Sequence, residues 1–389
     1  MDSNIHNQDN QNNQNNEKSF YNNDYLTTQI ITYMGNKRKI LNNINKVLDI
    51  IEQRENGRQL TMADGFSGSG IVARLLKTRA SKLYVNDSAG YSKTLNQCYL
   101  SSPNKSMMKK IKLLIQEANK LADNNKLNQN DKWISKHWAP QGNIKENDRV
   151  FFTENNANRI DIIRNFIQKQ PIKYQPYLLA PLIVQASIHN NTNGQFTAFY
   201  KDGNKGAFGG SKAIDINRIT KPIAINIPTI LNNDCQVHIS QDDTNNWINN
   251  IPHVDVLYID PPYNKHPYSI YYFLLDIINN WDKNIDIPTT YRGQPKNWCK
   301  SNYNSLNKAE QTFNDLIKNA KAKYIILSYN DEGIIPLKNI ETILNNYGNV
   351  EKIPIQHNVY NRLRGIAKYK RQKNEKNVKE FLWILTKKL

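Results

Sequence analysis

The segment from Leu60 to Asp87 constrains the fold of this chain more than any other. A short apolar run, Leu60 to Ala63, ends in Asp64 and a turn of small residues, Gly65-Phe66-Ser67-Gly68-Ser69-Gly70. Ile71, Val72, Leu75 and Leu76 then recur at helical spacing, and Leu83 to Val85 is a second apolar run ending in Asn86-Asp87. Strand, glycine turn, helix, strand is the opening of a doubly wound α/β sheet. Ahead of it, Ile40, Leu41, Ile44, Val47, Leu48 and Ile51 predict one further helix.

From about Leu100 to Leu231 the rhythm changes. Met108, Ile111, Ile115, Ala118 and Leu121 mark an amphipathic helix, and Tyr177 to Ile188 reads as a core helix despite Pro181. A Gly- and aromatic-rich stretch, Asn193 to Gly210, follows. The α/β rhythm resumes with Val254 to Ile259 and Tyr324 to Ser328, then the helix Leu337 to Tyr347. Val350 to Ile355 and Phe381 to Thr386 read as a terminal strand pair. The expected fold is therefore α/β, a doubly wound, mostly parallel sheet with an antiparallel last strand. A second, mainly helical domain interrupts it. The boundaries read as 1–24 for an Asn/Gln-rich tail too poor in apolar residues to offset its ordering entropy, 25–99 and 232–389 for the two parts of the sheet domain, and 100–231 for the insertion.

Charge narrows the partners. Across 389 residues, 52 Lys+Arg face 34 Asp+Glu, a formal net charge of +18. Such a surplus suits a polyanion, since cations that neutralise phosphates release condensed counterions; a basic surface tuned for solubility or lipid contact is the alternative. Part of the surplus is one run, Arg362 to Lys376, with seven Lys/Arg, Lys370 and Arg371 among them, against Glu375. That run is either a solvated loop or a grip on phosphates. Cys98, Cys235 and Cys299 lie far apart, which speaks against disulfides and a zinc site. No stretch approaches the roughly 20 apolar residues of a membrane span, and the N-terminus lacks signal-peptide order. These features predict a cytoplasmic protein without membrane or metal partners.

Two turns carry chemistry. The turn Asp64 to Gly70 stands where such sheets hold nucleotide-type cofactors, with small residues letting a ligand approach backbone N–H groups. Asp87 closes the next strand, where a carboxylate can accept bonds from ribose hydroxyls. By itself this pattern serves NAD, FAD, nucleotides or S-adenosylmethionine, and some such turns bind nothing. Asp260-Pro261-Pro262-Tyr263 is sharper. The two prolines remove backbone donors and hold the chain extended, leaving the Pro261 carbonyl an acceptor beside the Asp260 carboxylate. Together they can take both hydrogens of an –NH₂ group and aim its lone pair at an electrophile. Tyr263 offers a face on which a purine can stack. The bland alternative is a strand that ends in a Pro-Pro turn.

On these residues the chain resembles the Dam-like, alpha-group DNA adenine-N6 methyltransferases of bacterial restriction–modification systems, from about Gln29 to the C-terminus. Tyr33-Met34-Gly35-Asn36-Lys37 resembles the N-terminal cofactor motif, Asp64 to Gly70 the FxGxG motif with its acid, and Asp260 to Tyr263 the catalytic DPPY. The stretch Tyr268 to Leu275, Leu327 to Asn330 and the ending Glu380 to Leu385 also resemble the family. The resemblance implies S-adenosyl-L-methionine as cofactor, held by Tyr33, Met34, Gly35, Lys37, Asp64, Phe66, Gly68, Gly70, Asp87 and Asp243. Lys37 suits a cofactor carboxylate or a phosphate, or belongs to a solvated basic turn. Asp243 stands where relatives carry an Asp-Phe pair; the Phe is absent, which leaves the partner of the cofactor adenine open.

Double-stranded DNA is the implied partner, with Asn193, Gln195 and Lys201 in the candidate recognition loop and Lys370 and Arg371 on phosphates. A cognate restriction endonuclease acting separately is left open. The implied activity is site-specific adenine-N6 methylation. The rival readings are N4-cytosine or RNA adenine methylation, and a non-catalytic DNA-binding protein on the same scaffold.

Overall fold

The computed structural model describes residues 24–296, 300–355 and 379–388. The N-terminal tail through residue 23, Cys299 and the basic run with Lys370 and Arg371 lie outside the described residues. Seven strands form the main sheet: β1 (Leu60–Asp64), β2 (Ala80–Asn86), β3 (Gln236–Ser240), β4 (Val254–Ile259), β5 (Ala322–Asn330), β6 (Gly348–Ile355) and β7 (Glu380–Lys387). Their spatial order is β3-β2-β1-β4-β5-β7-β6. The first five run parallel, and β7 is antiparallel to both β5 and β6. The mostly parallel sheet and its antiparallel last strand are thus as the sequence predicts.

Parallel strands are covered on both faces, so their sequences read as nearly continuous apolar runs. β4 shows how alternation then divides the core. Val256 and Tyr258 join Met62, Leu83 and Ile326 under the helices α1 (Leu41–Arg54) and α2 (Ile71–Lys77). Leu257 and Ile259 join Ile325, Leu327 and Leu385 on the opposite face. That second face is closed by α7 (Thr244–Asn250), α9 (Ala309–Asn319) and α10 (Leu337–Tyr347). β3 has no counterpart in the sequence reading. Its five residues, Gln-Val-His-Ile-Ser, are half-exposed at the sheet edge, so they carry little apolar signal.

The helical block is a layer beside the sheet. Helices α3 (Gly90–Tyr99), α4 (Lys105–Asn124), α5 (Glu154–Gln168), α6 (Gln175–Ile188) and α8 (Phe273–Asn280) contribute to one apolar cluster. The cluster contains Tyr91, Leu95, Ile115, Ile163, Leu182 and Leu274, so the block shares its core with elements on both sides of it in sequence. On α4 the buried stripe is Ile111, Leu114, Ile115, Ala118 and Ala122, and the expected Leu121 points outward, 40% exposed. α6 is apolar all round and buried along most of its length, as a core helix must be. No described helix is long and apolar enough to cross a membrane.

Because Leu257 is fully buried in the central strand, Leu257→Ala should destabilise the fold by about 2–5 kcal/mol, transfer and cavity effects together. Chemical denaturation reads this directly. A loss under about 1 kcal/mol would show that β4 is not a tightly packed centre.

Candidate active site

The C-terminal ends of β1, β2 and β4 open onto one cavity of about 520 Å³, within the roughly 300–1,000 Å³ of small-molecule sites. In open α/β sheets the crevice beyond the strand ends is where ligands bind. Its wall includes Tyr33 to Lys37, Phe66 to Ser69, Asp87 to Gly90, Asp243, Asp260 and Pro262. The N-terminal turn, the glycine turn, the second acid and the Asp-Pro-Pro turn, dispersed over more than half the chain, therefore meet in one place.

The glycine turn is tied to Asp87. Gly68 N–H donates to Asp87 Oδ2 at 2.7 Å and Ala89 N–H to Oδ1 at 2.9 Å. Each carboxylate oxygen thus accepts one backbone bond and retains acceptor capacity toward the cavity. Burial pushes the Asp87 carboxyl up, and the N–H groups of Ala89, Gly68 and Ser88 oppose that. Gly68 adopts φ +49°, and a Cβ there would stand 3.0 Å from the Tyr33 ring. The absence of a side chain at Gly68 thus lets the aromatic wall close on the turn. That wall is a stack: Tyr33 lies face to face with Tyr268 and Tyr272, at 5.0 and 4.7 Å between centroids.

Asp64 and Gly70 stand apart from the other expected cofactor residues, because they are not on the cavity wall. Asp64 is fully buried beneath the turn; its Oδ1 accepts Phe66 N–H at 3.2 Å and its Oδ2 has no partner among the described residues. Burial raises its carboxyl well above the usual range. Gly70, at φ +78°, is the left-handed residue that starts α2. Asp243 is on the wall and also caps α7, accepting from Asn245 and Asn246 N–H. Phe66 is on the wall and meets Tyr303 edge-on at 5.4 Å.

Beside the mouth, Asp260 occupies an unusual electrostatic position. Lys37 is buried, 5% exposed, with its ammonium 3.1 Å from Asp260 Oδ1 and 2.5 Å from Glu380 Oε1. It is therefore neither a solvated basic residue nor directed at an external anion. Asp260 Oδ1 has no aligned hydrogen-bond donor among the described residues. Burial pushes the Asp260 carboxyl up to about 7, Lys37 pulls it down, and Glu380 pushes it up again. For Lys37 burial alone would lower the ammonium, but Asp260, Tyr263 and Glu380 together hold it well above the ordinary lysine range. A carboxylate that shares one ammonium with a second carboxylate keeps capacity for a further donor.

Tyr263 is held from several sides. Its ring lies 5.4 Å from Lys37 Nζ and edge-on to Tyr329, and its carbonyl accepts Ile334 N–H. Its hydroxyl sits where a Gly35 Cβ would be, 2.5 Å away. Pro261 is buried at the turn and is not on the wall. Of the expected DNA-contacting residues, Gln195 reaches the site, its amide 3.3 Å from Met34 Sδ. Lys201 is exposed, with its ammonium 4.1 Å over the Tyr291 ring, and Asn193 is partly buried nearby in sequence.

Several cavity residues escaped the sequence reading. Tyr268, Phe273 and Asp276 line the wall; the first two lie in the stretch Tyr268 to Leu275 that resembles the family, which offered a signal but no role, and Asp276 lies just beyond it. Asp276 is the lone acid in the apolar helix α8, and burial pushes its carboxyl up to about 7. Glu380 was only part of the C-terminal resemblance.

Fold and site together present an α/β chain with a cavity over the sheet ends and the Asp260 carboxylate on its wall. Residues 33–343 match the model of the D12 class N6 adenine-specific DNA methyltransferases. The chain belongs to that family, and its activity is methylation of adenine N6 in DNA. It is 28% identical to the type II methyltransferase M.NlaIII of Neisseria lactamica over 366 residues, covering 92% of this chain and 99% of the relative. It is 29% identical to M.FokI of Planomicrobium okeanokoites, covering 91% of this chain and 52% of that protein. With the modification methylase StsI of Streptococcus sanguinis the identity is 28%, over 83% of this chain and 48% of the relative. The chain thus spans about half the length of the latter two.

Gly35 combines a left-handed φ of +73° with the Tyr263 contact. Gly35→Ala should lower methyl transfer at least about tenfold, equivalent to about 1.4 kcal/mol in the barrier, while melting shifts little. Unchanged transfer by radiolabel assay would show that the Gly35–Tyr263 approach is dispensable.

Proposed function

We propose that the chain binds S-adenosyl-L-methionine in the cavity over β1, β2 and β4 and methylates adenine N6 within a specific sequence of double-stranded DNA. The observation that supports this reading best is the Asp260 carboxylate on the cavity wall, paired through Oδ1 with the buried Lys37 ammonium at 3.1 Å. The cofactor fits the residues present. Asp87 retains acceptor capacity for ribose hydroxyls, and Phe66 offers an apolar surface. Tyr33, Met34, Gly35, Gly68 and Asp243 complete the wall, while Asp64 and Gly70 shape the turn from behind. When bound, S-adenosyl-L-methionine supplies a methyl group made electrophilic by a sulfonium.

The protein's own part is to present the amine. The target adenine is flipped from the duplex, at an expense of a few kcal/mol. Stacking on the Tyr263 ring offsets that by roughly 1–3 kcal/mol. The Asp260 carboxylate takes one N6–H bond and the Pro261 carbonyl the other. With both hydrogens held, the nitrogen lone pair is drawn out of ring conjugation and pointed across the mouth. Asp260 is also placed to accept the proton that N6 must lose.

Sequence choice is assigned to the segment Asn193 to Ser211, where Asn193, Gln195 and Lys201 carry groups that can read base edges. The basic run with Lys370 and Arg371 is assigned to phosphates. The helical block 100–231 is then the recognition part and 25–99 with 232–389 the catalytic part. The names of the relatives, type II methyltransferase and modification methylase, support a role in a restriction–modification system alongside a separate endonuclease. A cytoplasmic location accords with a DNA substrate.

The deciding experiment is incubation with methyl-labelled S-adenosyl-L-methionine and unmethylated duplex DNA, followed by nucleoside analysis and modification-detecting sequencing. Label in N6-methyladenine at one motif is expected; label absent from DNA, or in cytosine, would refute the reading. Asp260→Ala should keep less than about a tenth of the wild-type rate, the lost bond being charge-assisted and worth about 1.5–3 kcal/mol. Because Asp260 must be ionised to accept, the wild-type rate should fall as pH drops through about 7.

The assignment of Asp87 has its own test. Asp87→Ala should weaken S-adenosyl-L-methionine binding about tenfold or more, a loss of about 1.4 kcal/mol, and leave DNA affinity unchanged. Calorimetry giving wild-type cofactor affinity would remove Asp87 from the site.

A further inference from the structure

Glu380 opens β7, the antiparallel strand that enters the sheet last in sequence, and pairs across to Asn330. Its side chain turns inward, where Oε1 accepts from Ser328 Oγ at 3.0 Å and from Lys37 Nζ at 2.5 Å. The Lys37 ammonium is thus shared unequally, short to Glu380 and longer to Asp260, where no hydrogen bond is aligned on Oδ1. All three side chains are less than a fifth exposed. Two carboxylates facing one ammonium are arranged so that the carboxylate remote from the cavity takes the stronger bond.

We propose that Glu380 is a positioning residue for methyl transfer, holding Lys37 near enough to balance the charge of Asp260 while keeping the ammonium from closing on the carboxylate that receives the adenine amine. The inference rests on the assignment of Asp260 as the amine acceptor. Without Glu380 the ammonium has one carboxylate partner in reach and settles on Asp260, filling the acceptor that the substrate needs. Without Lys37 the two carboxylates face each other in a buried site, and Asp260 takes up a proton more readily.

Other groups around Asp260 set the background. Tyr258 on β4, Tyr263 in the catalytic turn, Tyr268 beyond it and Asp64 at the end of β1 all interact with its charge. The tyrosines are held in their neutral forms by burial, and burial raises the Asp64 carboxyl well above its usual range. Lys37 and Glu380 are therefore the two charges that decide the state of Asp260.

The test is single-turnover methyl transfer to duplex DNA, with donor and DNA saturating, measured against pH for the full chain and two variants. Glu380→Gln keeps the shape and an acceptor for Lys37 but removes the charge. Its plateau rate should fall about tenfold or more, with the calorimetric affinity for the donor within about threefold of wild type. Its acid limb should move to lower pH, because a repelling charge is gone and Lys37 closes on Asp260. Lys37→Met should move the acid limb the other way, upward by about one unit or more, as loss of a neighbouring cation does for a carboxylate.

Opposite shifts of the two limbs, with the rate loss in Glu380→Gln, support the proposal; a general structural defect would not separate them. Shifts in the same direction, a rate loss with an unmoved limb, or a Glu380→Gln variant at wild-type rate each overturn it. Should Glu380→Gln not fold, Ser328→Ala removes only the hydroxyl that steadies Glu380, and the same readouts should move in the Glu380→Gln direction with smaller amplitude. Wild-type protein that transfers no methyl to adenine would instead overturn the assignment of Asp260 itself, and this inference with it.

Discussion

The buried ammonium of Lys37 ties together parts of the chain that no local interaction could align. It comes from the turn before α1, Asp260 from the end of β4, and Glu380 from the start of β7. Desolvation is severe for each charge alone, and a buried ion is tolerable only when it is paired. The three groups therefore stabilise one another in a single arrangement, which sets where the Asp260-Pro261-Pro262 turn lies relative to the cavity. Hydrogen bonds from Ile334 N–H to the Tyr263 carbonyl, and from the Asn304 amide to the Asn264 carbonyl, hold the turn's far side.

The antiparallel strand β7 acquires a purpose from this constraint. A parallel strand at that position would bring its opposite end to the site. Running antiparallel, β7 begins where β5 ends, with Glu380 opposite Asn330 and Leu382 opposite Ser328. The first residue of the strand then reaches the same edge of the sheet as the ends of β1 and β4. The strand so supplies a carboxylate to the mouth and apolar residues, Leu382 and Ile384 on one face and Trp383 and Leu385 on the other, to both cores.

What could be read in advance was what the backbone writes locally. Gly68 and Gly70 mark a turn because they adopt left-handed φ, and Pro261-Pro262 mark the end of β4 because proline cannot continue a central strand. The buried parallel strands announced themselves as apolar runs. β3 did not, because an edge strand with a half-exposed face needs few apolar residues. Nor did the role of Glu380, whose partner Lys37 is 343 positions away; nothing in either neighbourhood names the other. Lys37 stood among three consecutive basic residues, and only the fold separates the one that is buried from Arg38 and Lys39, which are exposed.

The helical layer bears on the chemistry by contact as well as by sequence. Its apolar cluster includes Tyr272 and Phe273, directly after the short helix Tyr268–Tyr271 at the cavity wall. The candidate recognition segment is bonded to the same place. Phe196 N–H donates to the Tyr271 carbonyl at 2.8 Å, and the Gln195 amide meets Met34, whose own N–H is held by the Tyr272 hydroxyl. The candidate recognition segment is therefore in direct contact with a residue of the cavity wall, Met34. Met34 immediately precedes Gly35, the residue against which the Tyr263 hydroxyl rests. Gln195, Met34, Gly35 and Tyr263 thus form one short chain of contacts between the candidate recognition segment and the turn that carries Asp260.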